Sequence, residues 1–132
     1  MREQDMNITT ETARSIGTLA AHTGMAAATL RWVVRDLQVP VWIAVDLREL
    51  SELLDAAYDE HHAELSARTT GKLSFTAGHV STRMTSLALA VVNDAAKAGH
   101  DADAARRASG YLTDAAISLA EARNTYLAAM GF

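Results

Sequence analysis

Four residues in the N-terminal third of the chain carry chemistry suited to a charged polymer: Arg14, Thr29, Arg31 and Arg35. Guanidinium groups bond phosphate oxygens and guanine edges, and a threonine hydroxyl bonds either phosphate or base. Arg31 and Arg35 are four residues apart and share one face of any helix that holds them. A second constellation surrounds "DEHHAEL", Asp59 to Leu65, where Asp55, Asp59 and His62 fall at i, i+4 and i+7. Carboxylate plus imidazole suits zinc or iron. A carboxylate-bridged di-iron bundle needs Glu-x-x-His on two helices plus further glutamates. Only Asp59-x-x-His62 is present, so no metal is expected. His61 falls on an apolar stripe instead, where a hydrogen-bonded core or interface histidine is expected.

Nucleophilic chemistry has little to work with. There is no cysteine, which removes thiol catalysis, thiolate metal sites and disulfides. Ser74, Ser81 and Ser86 have no histidine and carboxylate at a recognisable spacing. Gly71-Lys72 is too short to be a phosphate loop. The expectation is a protein that is not an enzyme and holds no cofactor.

The elements that position these residues are helical. Apolar residues make up 49% of the 132, many of them alanine, while aromatics are 5% and Pro40 is the single proline. That composition favours closely packed helices over strands. One helix is expected from about Thr12 to His22, a second from Met25 to Leu37, and a third from Trp42 to Ala67. Pro40 separates the second from the third, since the residue before a proline is pushed out of helical geometry. In the third helix Leu47, Leu50, Leu54, Ala57, His61 and Leu65 step by three or four. "RTTGKLSFTAG" reads as a loop, with two glycines and several hydroxyls.

A helix from Ser81 to Ala98 and a last one begun by Asp101 and Asp103 complete a C-terminal hairpin. Their stripes are Val80, Met84, Leu87, Val91 and Ala95, and Leu112, Ala116, Leu119, Ala122, Tyr126 and Met130. Two helices alone bury such stripes poorly, which predicts closure by the third helix or a homodimer through residues 80 to 130. Trp32 and Trp42 are expected to anchor the N-terminal segment on the third helix.

Net charge is −4, and it is unevenly spread. Residues 1 to 50 carry five arginines against six acids, whereas residues 51 to 66 carry five acids and no lysine or arginine. The acidic helix over 47–65 is therefore a candidate surface for a protein partner. "VPVWIAV" and "LALAVV" are far shorter than the roughly 20 residues of a membrane span, and no signal peptide is visible at the N-terminus. These features predict a cytoplasmic protein.

Residues 16 to 31 set Ile16, Gly17, Leu19, Ala20, Thr23, Gly24, Thr29, Leu30 and Arg31 in a distinctive order, followed by Trp32. This stretch resembles the N-terminal helix-turn-helix of MerR-type regulators, roughly I-G-x-L-A-x-x-T-G-V-x-x-x-T-L-R and an aromatic. "DLQVP" and "DLREL" extend the resemblance loosely. "LAAHTGMAAATL" is also similar to the lambda-repressor arrangement. The resemblance implies a turn at Gly24, packing roles for Ile16, Leu19 and Leu30, and DNA contacts from Thr29 and Arg31. It also implies a second helix seated in the major groove, where Ala26, Ala27 and Ala28 would touch at most thymine methyls.

Together these readings predict an all-α protein: a helix-turn-helix module over residues 1–40, then a helical bundle over 41–132 made of a long helix and the C-terminal hairpin. The expected function is that of a small transcriptional regulator binding double-stranded DNA. The alternative is a helical interaction protein, an accessory or inhibitory subunit, that reuses a helix-turn-helix-like shape.

Overall fold

A computed structural model describes residues 10–99 and 101–131. It consists of four helices: α1 (Thr10–Asp36), α2 (Val41–Ala63), α3 (Ala67–Ala98) and α4 (Ala102–Ala129). The linkers run over residues 37–40, 64–66 and 99–101, so consecutive helices can only double back on one another. The result is an all-α bundle in which α1 packs on α2, α2 on α3, α3 on α4 and α4 on α1. The α1 and α3 helices also approach each other across the centre, whereas the backbones of α2 and α4 lie farther apart, on opposite sides of the bundle. The cross-section is therefore a rhombus with α1 and α3 on the short diagonal.

Local chemistry sets the helix ends. Pro40, with φ near −55°, precedes α2 and donates no hydrogen bond that the helix would miss. Ser66 and Thr69 form a reciprocal cap at the start of α3: the Thr69 amide donates to Ser66 Oγ (3.2 Å), and the Ser66 amide to Thr69 Oγ1 (3.1 Å). Gly99 turns the chain after α3 at φ +71°. Asp101 then caps α4 by accepting from the Asp103 amide at 2.9 Å, in line with the cap read from the sequence.

One hydrophobic core runs through all four helices. Leu19, Leu30 and Val33 of α1 meet Ile43, Leu47 and Leu54 of α2, Leu73, Met84 and Leu87 of α3, and Leu112 and Leu119 of α4. Buried alanines on every helix (Ala27, Ala57, Ala77 and Ala108 among them) let the backbones approach closely. The α3 and α4 stripes that suggested a homodimer are closed within one chain: Val80, Met84, Leu112 and Leu119 are each fully buried.

Three expectations require correction. The turn at Gly24 is absent, because α1 is a single helix of 27 residues and Gly24 lies inside it. Thr23, which falls between the two expected helices, is buried in α1 with its hydroxyl donating to the Leu19 carbonyl at 2.8 Å. The loop "RTTGKLSFTAG" is also helical and forms the first part of α3; the actual break falls at 64–66, ending α2 at Ala63 rather than Ala67. Finally, the tryptophans anchor different neighbours. Trp32 stacks edge-on against Tyr111 of α4 with ring centroids 4.6 Å apart, and Trp42 donates Nε1–H to Asp94 of α3 at 3.2 Å.

Candidate functional site

The residues assigned to DNA contact do not converge. Arg14 is exposed near the start of α1, 21 residues from Arg35, or about 30 Å along the axis at 1.5 Å per residue. Thr29 lies on the side of α1 that faces α4, in a recess it shares with Tyr111 and Asp114, and its hydroxyl donates to the Met25 carbonyl at 3.0 Å. Arg31 faces α2 and pairs with Asp55 at 2.6 Å. Arg35 pairs with its neighbour Asp36 at 2.8 Å, which holds the guanidinium above its ordinary pKa, first by that hydrogen bond and then by charge.

The shallow groove between α1 and α2 therefore brings Arg31, Arg35 and Arg48 together with Glu52 and Asp55, and Asp36 lies beside Arg35. Three cations face three anions, which leaves little net attraction for a phosphate backbone. Ala26 and Ala27, which a groove-seated helix would present to bases, are 2% and 0% exposed and pack in the core.

The α2 helix supplies a different surface. Its inward stripe is buried as the spacing predicted, from Leu47 through Leu50, Leu54 and Ala57 to His61, and Ile43 extends it one turn toward the start of the helix. Leu65, expected on the same stripe, falls beyond the helix and is 78% exposed. Three of the acids serve the fold. Asp46 accepts from Arg83 at 2.5 Å, Asp55 from Arg31, and Glu60 from both Arg68 (2.9 Å) and Lys72 (2.7 Å). Those two cations hold the Glu60 carboxyl below its ordinary pKa, the hydrogen bond from Lys72 contributing most.

Glu49, Glu52 and Asp59 form no ion pair among the described residues and are exposed, Glu52 standing at the edge where this face meets the α1–α2 groove and Arg48. They fall on a run of positions (42, 45, 49, 52, 56, 59) that step by three and four, and so share one outer face with Trp42 and Val45. Leu53 borders the same face, and Trp42, Val45 and Leu53 are each about half exposed. Asp55, Asp59 and His62, considered above for metal binding, have separate surroundings. Asp55 is held by Arg31, and His62 stacks on Tyr58 with the rings 5° from parallel and 6.1 Å apart.

A cleft of about 400 Å³ opens at one end of the bundle. The N-termini of α1 and α3 and the C-termini of α2 and α4 meet there, as the alternating helix directions require. Its walls include Ala13 and Ile16 of α1, Leu65 of the second linker, and Tyr126 and Met130 from the end of α4. His61, in the last turn of α2, borders it; the residue is 5% exposed and its Nε2 has no hydrogen-bond partner among the described residues. The expected hydrogen bond of a core histidine is not made among them. Burial first, and the nearby charge of His62 second, hold the His61 pKa below its ordinary value. Burial likewise raises the Tyr126 phenol. The stripe in α2 pointed to His61, but Ile16 and Tyr126 read only as packing residues, and their meeting depends on how the helix ends come together.

Among the described residues, no helix is long and apolar enough to cross a membrane, and no group of three or more metal-ligating side chains gathers in one place. No family model, no curated protein and no solved structure matches this chain.

Proposed function

We propose that this is a non-enzymatic helical interaction protein whose α2 outer face receives a basic amphipathic helix from a partner protein. One observation carries the reading: the acids of α2 that the fold leaves unpaired share a single outer face with half-exposed apolar side chains. Glu49, Glu52 and Asp59 supply charge in heptad-like register with Trp42 and Val45, and Leu53 adds apolar contact at the border of that face. A partner helix with an apolar stripe flanked by lysine or arginine complements both features. The regulator reading, by contrast, has no helix-turn-helix turn to position a reading helix, and two of its three arginines, Arg31 and Arg35, are paired with acids of the fold.

Calorimetric titration with a synthetic lysine–leucine amphipathic helix tests this, run beside a random DNA duplex at low and high salt. The peptide is expected to bind, to weaken with salt, and to lose binding when Glu49, Glu52 and Asp59 are all replaced by lysine. Peptide binding that ignores this triple replacement would overturn the proposal. So would duplex binding that weakens steeply with salt and with Arg31→Ala, which would restore the regulator.

A further inference from the structure

We infer that the end cleft is a binding site for an uncharged, largely apolar small molecule carrying one hydroxyl group, with His61 as its hydrogen-bond partner. This rests on the cleft and is independent of the α2 outer face. A volume of about 400 Å³ lies within the range of small-molecule sites. Among the described residues the walls are mostly apolar and include no lysine, arginine, aspartate or glutamate. A charged head group would lose its hydration there and find no counter-ion among the described residues, which favours an uncharged ligand.

Orientation comes from the imidazole. A buried nitrogen without a partner is unusual, since nearly all buried polar atoms are hydrogen-bonded. Nε2 of His61 is such an atom, on a ring that borders the cleft. The torsion that turns a histidine ring is broad and soft, so a small rotation presents a nitrogen to an occupant. A neutral imidazole offers one donor and one acceptor, and a hydroxyl can serve either. Two other polar side chains at this end are already engaged, while the Thr70 hydroxyl and the Tyr126 phenol line the cleft beside the imidazole. Thr12 Oγ1 donates to the Ala129 carbonyl at 3.4 Å, and Ser66 belongs to the α3 cap.

Calorimetry with 4-propylphenol, propylbenzene and octanoate tests the assignment. The phenol is expected to bind and to shift the His61 ring resonances in the NMR spectrum. Propylbenzene should bind about tenfold more weakly or worse, because it leaves the imidazole unpaired in a dry site. Octanoate should not bind. His61→Leu should bind phenol and hydrocarbon alike. Should that variant fail to fold, Ala13→Phe, which fills the mouth from the exposed side of α1, should abolish binding with the helical circular dichroism unchanged. Equal affinity of the intact protein for phenol and hydrocarbon would overturn the inference. So would binding that survives Ala13→Phe, preference for octanoate, or no binding of any of the three.

Discussion

Gly24→Ala separates a continuous first helix from a helix-turn-helix by the sign of its effect. In the structure Gly24 lies mid-helix, and a methyl group added there would meet Tyr58 Cε2 at 3.7 Å, an ordinary van der Waals contact. No neighbour has to move. Glycine costs about 1 kcal/mol against alanine in a helix interior, so the replacement should stabilise the protein by about that amount. For a chain of this size the midpoint of thermal unfolding should rise by about 3–5 °C. Were Gly24 the left-handed residue of a turn, alanine would instead be strained by about 1–2 kcal/mol and the midpoint would fall. Thermal and urea unfolding followed by circular dichroism read the difference directly. A loss of about 1 kcal/mol or more would refute the continuous helix, and with it the burial of Ala26 and Ala27 on the same phase.

Other perturbations probe the core, the surface pairs and the buried imidazole. Leu54→Ala, at a fully buried position, should cost about 2–5 kcal/mol, while Leu53→Ala on the half-exposed outer face should stay within about 0.5 kcal/mol; similar losses in urea melts would contradict this assignment of the α2 faces. Arg31→Ala should cost no more than about 1 kcal/mol, since both partners of its pair with Asp55 are about half exposed; a loss above about 2 kcal/mol would mean the pair is built into the core. For pH, the folded His61 binds a proton less readily than the unfolded chain does. Its contribution is therefore fully present above the ordinary histidine pKa and is lost as pH falls from there through the lowered folded value. His61→Leu should flatten that part of the stability–pH curve, and an unchanged curve would count against a buried neutral imidazole. Glu60, whose pKa is lowered by Lys72 and Arg68, acts in a separate window below the ordinary carboxylate pKa.

The helical class and most of the core were legible because apolar stripes survive in the sequence. The α2 stripe from Leu47 to His61, the α3 stripe, and the α4 stripe as far as Tyr126 are buried as their spacing implies, whereas Met130, past the end of α4, is about half exposed. The two misplaced breaks share one physical cause. Thr23 in α1, and Ser74 and Ser81 in α3, are buried hydroxyl residues at stripe positions. Thr23 and Ser81 donate back to the carbonyls of Leu19 and Gly78, which removes the cost of burying a polar group. Counted as core positions, they make both stripes continuous: Leu19, Thr23, Ala26, Leu30 and Val33 in α1, and Leu73, Ala77, Ser81, Met84 and Ala88 in α3. Counted as polar, Thr23 next to Gly24, and Ser74 and Ser81 three residues after Gly71 and Gly78, imitate turns.

The site was less legible because pairing and orphaning are properties of the assembled bundle. Arg31 and Arg35 share a face, but which acid faces Arg31 depends on the docking of α2, twenty-four residues further along the chain. The division of the α2 acids into fold-serving and unpaired groups depends on Arg83, Arg68 and Lys72, all supplied by α3. His61 gives the sharpest instance. Position 61 continues the stripe of Leu54 and Ala57, where a leucine would pack without a polar atom to satisfy. Leaving a buried nitrogen unpaired costs about 1–3 kcal/mol. If the imidazole were only filling space, His61→Leu would be more stable at neutral pH and nothing else would change. If it serves a ligand, the same variant gains that stability and gives up its preference for a hydroxylated occupant. Stability and selectivity then move in opposite directions, which packing alone cannot produce.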